Sequence, residues 1–263
     1  MNQNAYRFSR YASIRMATGF TVVELLVTIV VIGILTSLIF PAVNRAKRSS
    51  KIAGCANNLK QIIAGAMMYA EDDKDGRFGP YVPGFFPNYT HSHVWRILNS
   101  PPSLFLCPAS ANVVSGPERK NPDGTRYYDF MEYPASSRLA TTGNSYDVFP
   151  FFGDLDKYWQ GNTDFKKNAN RVEKTLSSTT THVHRNSALG LKGRAVGPSE
   201  IWLYSDADST PLTTAFYPDS YNNHGTAGAN VAFVDGHVVF VKRADYVLAY
   251  EISEDNNRDR EHP

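Results

Sequence analysis

Excess charge is the first thing the chain lacks. Twenty-seven Lys and Arg stand against 25 Asp and Glu, a formal net charge of +2. That balance leaves no electrostatic footprint for a nucleic-acid partner. Cysteine is scarce as well, with only Cys55 and Cys107 in 263 residues. An even pair suits an exported protein with one bridge, and it suits two reduced core thiols equally well. There is no Gly-x-Ser-x-Gly elbow, phosphate loop or His-Glu-x-x-His run, so neither an enzyme nor a bound cofactor is expected. No internal repeat occurs.

Charge is also nearly absent from one long stretch. From Phe20 to Phe40 only Glu24 is charged. Twenty-one helical residues would reach roughly 30 Å, enough to cross a bilayer core. The leader before it is basic: residues 1–19 hold Arg7, Arg10 and Arg15 and no acid. A secretory signal would be shorter and would end at a small-residue site after its apolar core. Here the small residue with a basic leader behind it is Gly19, ahead of the apolar run, so cleavage there keeps the helix. The basic residues Arg45, Lys47, Arg48 and Lys51 follow the span, and charge bias therefore leaves its orientation open.

Gly19, the run Phe20-Thr21-Val22-Val23-Glu24-Leu25-Leu26, and Pro41 together resemble the class III leader of type IV prepilins and type II secretion pseudopilins. The resemblance covers about 25 residues. It implies that a prepilin peptidase cuts after Gly19 and methylates the new N-terminal Phe20. It implies an N-terminus in the cytoplasm, a single pass through the inner membrane, and a head in the periplasm or on an extracellular filament. The partners it implies are that peptidase and methyltransferase, other pilin or pseudopilin subunits, and the inner-membrane assembly platform. Glu24 and Pro41 would then act in assembly. A carboxylate in hydrocarbon costs a few kcal/mol or more unless it is paired. Within one helical turn of Glu24 lies the new α-amino group, of the same chain or of a neighbour, and pairing between neighbours would set the axial register.

Beyond Pro41 the apolar residues Ile52, Cys55, Leu59, Ile62, Ala66 and Tyr69 recur at helical spacing, which makes one face of a helix. Pro41 should kink this helix without ending it. Gly76 and Pro80 stop it. Glu71, Asp73, Asp75 and Gly76 imitate the front of a calcium loop, but Val82 stands where the bidentate Glu belongs, so a helix-ending turn is the simpler reading.

Ten of the fifteen prolines lie between Pro80 and Pro150, which argues for irregular loops and short strands. Regular signals return with a strand over Ile201–Tyr204 ending at Asp206, and with the hairpin around Asp235-Gly236. A two-residue turn would pair Val234 with His237, Phe233 with Val238 and Val231 with Phe240, and would place Phe233, Val231, Val238 and Phe240 on the helix. The C-terminal part also resembles a bacterial group of prepilin-like proteins with histidine, nine residues, then Asp-Gly. Here ten residues separate His224 from Asp235, while Cys55-Ala56-Asn57-Asn58-Leu59-Lys60-Gln61 and Cys107-Pro108 match other marks of that group.

Histidine pairs His91/His93 and His182/His184 could chelate a metal on a strand. His224, His237, Asp206, Asp208 and Asp235 could add ligands. No spacing matches a zinc signature, so no metal is expected, with His182, His184, His224 and Asp235 as the candidates to watch. The bland reading makes His224 a loop-fixing hydrogen-bond partner and Asp235 a turn residue. Cys55 and Cys107 remain either a disulfide or separate core residues.

The expected fold is α+β and pilin-like: a long kinked N-terminal helix, its first half membrane-spanning, packed by a C-terminal antiparallel sheet with a loop-rich head. The expected organisation is a cleaved leader (1–19), a transmembrane and assembly helix (20–41), its amphipathic continuation (42–70) and an exported head (71–263). The expected function is a structural filament subunit. The alternative is a membrane-tethered extracytoplasmic binding module that does not polymerise.

Overall fold

A computed structural model of the chain describes residue 19 and residues 21–79, 98, 101–110, 119–120, 126–127, 145–152, 172–185, 188–206, 218 and 223–255. Two compact units divide between Lys47 and Arg48. The fold is α+β. Helix α1 (Val22–Asp72) runs through Pro41 without ending. Its C-terminal end is a tight turn: the Asp73 carboxylate accepts the N–H groups of Asp75 and Arg77 at 3.0 and 3.1 Å, and Gly76 takes φ +66°. Asp73 is thus spent on backbone donors, as a helix-ending turn requires, and Asp75 pairs with the Arg77 guanidinium at 2.8 Å.

Among the described residues ten strands follow: β1 (Arg119–Lys120), β2 (Arg126–Tyr127), β3 (Tyr146–Val148), β4 (Phe151–Phe152), β5 (Val172–Glu173), β6 (His182–Val183), β7 (Ala195–Val196), β8 (Trp202–Asp206), β9 (Gly228–Phe233) and β10 (Val238–Lys242), then helix α2 (Arg243–Glu254). Among the described residues, none of the strands before β8 exceeds three residues. One four-stranded antiparallel sheet has the order β10-β9-β8-β3.

The stripe on α1 is covered. Cys55, Leu59, Ile62 and Ala66 are buried in one cluster with Ile201, Leu203, Tyr204, Ala232 and Val234. Ile52 and Tyr69, at the ends of the stripe, are half-buried. Each large apolar side chain moved out of water there stabilises by about 1.5–3 kcal/mol.

The expected hairpin register is off by one residue. Observed pairs are Val238 with Ala232, Val239 with Val231 and Phe240 with Asn230. The cause is the turn. Gly236 sits at φ +89°, its N–H bonds Phe233 O at 2.9 Å, and Phe233 N–H bonds His237 O at 2.9 Å. That is a three-residue loop with a glycine bulge in place of a two-residue turn. A one-residue slip changes which side chains share a face. Val238 and Phe240 stay on the α1 side: Val238 packs on the α1 cluster and Phe240 meets the His224 ring. Val231 and Phe233 instead join Trp202, Ala229, Val241, Tyr246 and Tyr250 on the opposite face.

That opposite face is covered by α2, which no sequence signal had claimed. Trp202 is its centre, edge-on to Phe149, Phe233, Tyr246 and Tyr250 at centroid distances of 5.2–6.4 Å. A bulge in β8 between Trp202 and Tyr204 lets Trp202 face α2 while both Leu203 and Tyr204 face α1. The core of unit Arg48–Pro263 is therefore a sheet between two helices.

Candidate functional site

The first candidate site is the start of α1. Gly19 is exposed, and Phe20 lies outside the described residues. Thr21 and Glu24 form a reciprocal cap. The Glu24 carboxylate accepts Thr21 N–H at 2.9 Å and Thr21 Oγ1–H at 2.8 Å, while Glu24 N–H donates to Thr21 Oγ1 at 3.2 Å. This is the Thr-x-x-Glu capping box, which satisfies donors that the first helical turn leaves unpaired. The sequence signal for it is the Thr21-x-x-Glu24 spacing, which the charge of Glu24 by itself does not reveal. Cleavage after Gly19 would leave every atom of this cap in place.

The large apolar side chains from Val22 to Phe40 are exposed. By length and composition this stretch is able to span a membrane. Its few polar side chains are tied to the helix itself: Thr28, Thr36 and Ser37 donate to Leu25, Ile32 and Ile34 carbonyls, each at 2.7 Å. Such internal bonding is what a helix needs where no water reaches it. Arg45 and Lys47 follow, exposed.

A second site lies inside the unit Arg48–Pro263. Cys55 and Cys107 are joined as a disulfide with a Cα separation of 5.0 Å. It ties α1 to the segment 101–110. Gly54 makes the approach possible, since a Cβ there would lie 3.1 Å from the Pro108 ring. Asn58 extends the same seam, its amide donating to Leu106 O at 3.0 Å and meeting the Tyr146 hydroxyl at 3.1 Å.

His224 completes the seam. Its Nε2 lies 3.1 Å from Asp206 Oδ2 and 3.7 Å from Cys107 Sγ. Asp206 Oδ2 also accepts the Asn230 backbone N–H at 2.7 Å and the Asn230 side-chain amide at 2.9 Å. That amide reaches Ile52 O at 3.3 Å as well. A carboxylate only accepts, so a hydrogen bond from His224 to Asp206 puts the proton on Nε2, which the Asn230 amide nitrogen also approaches at 3.1 Å. The His224 carbonyl accepts from Arg48 at 3.2 Å, and Asn223 donates to Ser145 O at 2.8 Å. His224 thus holds the loop before β9, as the loop-fixing reading had it. Sequence alone did not pair it with Asp206 and Asn230, because that pairing is made by strand register.

The four watched metal candidates lie in three places. His182 and His184 contact Asp255 at 3.0 and 3.3 Å, beside the C-terminus of α2. His224 lies against Asp206. Asp235 caps the β9–β10 turn, bonding the His237 N–H at 3.1 Å and its Nδ1. His224 precedes β9 and Asp235 follows it, so a six-residue strand holds them roughly 20 Å apart. The four do not form one ligand set. His91, His93 and Asp208 lie outside the described residues.

One buried charge was not anticipated. Lys174 is fully buried and bonds Trp202 O at 2.8 Å, Ser253 Oγ at 3.4 Å and Glu254 Oε1 at 2.5 Å. Burial pulls its ammonium below the ordinary lysine value, and the Glu254 carboxylate opposes that shift. No family model, no curated protein and no solved structure matches the chain.

Proposed function

We propose that this protein is a structural subunit of a type IV pilus-like or type II secretion pseudopilus filament, processed after Gly19 and N-methylated on Phe20. The observation that carries the reading is the register of α1. An exposed apolar helix begins at Val22, capped by Thr21 just after the Gly19-Phe20 step, with Glu24 fixed by that cap in the first turn. The pilin-like layout, a long helix whose continuation packs under an antiparallel sheet, agrees with it. In this account the peptidase, the assembly platform and sister subunits are the partners, and the inner membrane holds the helix until assembly. Hydrophobic helices then leave lipid for a bundle of their own kind, and the unit after Lys47 is displayed outside. No catalytic role is assigned to it.

The test is co-purification. Cells making the full chain are sheared and cross-linked, and filaments and membrane assemblies are collected. The proposal expects a chain lacking residues 1–19 in assemblies with other pilin-type subunits. A chain recovered only as a monomer in the membrane would support a tethered module and reject the filament role.

A further inference from the structure

The disulfide, Asp206 and His224 form a set of donor atoms whose chemistry is not exhausted by a cross-link. We propose that reduction of Cys55–Cys107 turns this cluster into a binding site for one divalent transition metal of the zinc class. Disulfide and metal are then alternative closures of the same seam.

Four elements each supply one donor: Cys55 from α1, Cys107 from the segment 101–110, Asp206 from the end of β8, and His224 from the loop before β9. All four residues are buried, and one ligand atom from each lies within 4.8 Å of the others. Two sulfurs, an imidazole nitrogen and a carboxylate oxygen make a four-coordinate, borderline-soft set. Calcium and magnesium want six or more oxygens, which this set does not offer.

The edges are already near the required size. Metal–sulfur bonds of about 2.3 Å and metal–nitrogen or metal–oxygen bonds of about 2.0–2.1 Å give a tetrahedron with edges of about 3.3–3.8 Å. The His224–Asp206 edge is 3.1 Å and the Cys107–His224 edge is 3.7 Å. The remaining edges lie within 4.8 Å. The sulfur–sulfur edge is short because it is a bond, and breaking it is the change that frees both sulfurs for a metal.

The surroundings also match a ligand set. Asn230 orients Asp206 through two bonds to Oδ2, and Arg48 holds the His224 backbone. Partners of this kind fix ligand orientation at metal sites. The other carboxylate oxygen, Asp206 Oδ1, is buried and has no hydrogen-bond partner among the described residues. A buried acceptor left unpaired in this way calls for an explanation, and a cation beside it supplies one.

The steps balance as follows. A phosphine reductant and one water convert the disulfide to two thiols and the phosphine oxide. The metal ion then displaces both thiol protons. His224 keeps one proton, which moves from Nε2 to Nδ1 so that the Nε2 lone pair faces the metal. Asp206 takes part as the carboxylate whose Oδ2 accepts from Asn230.

The experiment uses the full chain, without a histidine tag, in detergent, titrated with cobalt(II) before and after phosphine reduction. The reduced chain is expected to bind one equivalent, with a thiolate-to-cobalt band in the near ultraviolet and the strong visible bands of a tetrahedral site. The oxidised chain should show neither band. His224→Gln and Asp206→Asn should each weaken binding by about 10-fold or more, and zinc should raise the melting temperature of the reduced chain alone. Absence of the thiolate band in a reduced chain that keeps its fold overturns the proposal. So does a band unchanged in both variants, which would show two thiols acting alone. A reduced chain that is unfolded and stays so with zinc overturns it as well.

Discussion

The Glu24 carboxylate caps α1 through Thr21. Under the proposed function its charge would also be read by an assembling neighbour, and a single substitution would confound the two. Glutamine at the same place can keep the capping box, while alanine cannot. If the charge drives assembly, Glu24→Gln and Glu24→Ala should both be processed and inserted, and both should be missing from cross-linked assemblies. Normal incorporation of Glu24→Gln would leave only the cap. Gly228 is decided by space and backbone together. It has φ +141°, and a Cβ would meet Val241 O at 2.0 Å. Gly228→Ala should therefore destabilise the chain by more than about 2 kcal/mol in denaturant unfolding, and a loss below about 0.5 kcal/mol would show that the β9 entrance can shift.

Among the elements, the link between the residue after β5 and the end of α2 is the most exposed to error by substitution. Lys174→Met would leave Glu254 buried without its cation and should cost about 3–5 kcal/mol. Lys174→Met with Glu254→Leu should recover most of that loss in the same unfolding measurement, and a double variant as unstable as the single one would contradict the pairing. The pH sign follows from burial. The folded ammonium titrates below the ordinary 10.5, so the unfolded chain holds the proton through that window and stability rises with pH across it. The double variant should lose this rise. The same elements show what a sequence reader can and cannot see. The stripe Cys55–Leu59–Ile62–Ala66 was legible because helical spacing alone defines it, and β8 because the run Ile201–Tyr204 is apolar and branched or aromatic. The register of β9 was not, because Asp235-Gly236 admits a two- or a three-residue loop and the difference rests on one φ angle at Gly236. Helix α2 was missed because it is short and the buried face that Tyr246, Val247 and Tyr250 begin continues through polar residues, Glu251, Ser253 and Glu254. The Asp206–Asn230–His224 contacts depend on that same register, so the seam was visible only as isolated polar residues.

At the scale of the whole molecule, the two units ask for different surroundings. Fourteen large apolar side chains between Val22 and Phe40 are exposed. At about 1.5–3 kcal/mol each, leaving them in water would forgo more than the about 5–15 kcal/mol by which a folded domain is stable. The unit Arg48–Pro263, by contrast, covers its own core on both faces of the sheet and closes it with Cys55–Cys107. A filament subunit waiting in a membrane needs both conditions, and it needs the first unit to begin at a defined residue. The most direct measurement is the intact mass, with N-terminal sequencing, of the chain produced beside an active prepilin peptidase. The account predicts loss of residues 1–19 and a methylated Phe20 as the new terminus. Recovery of the chain with Gly19 still joined to Phe20 would contradict it.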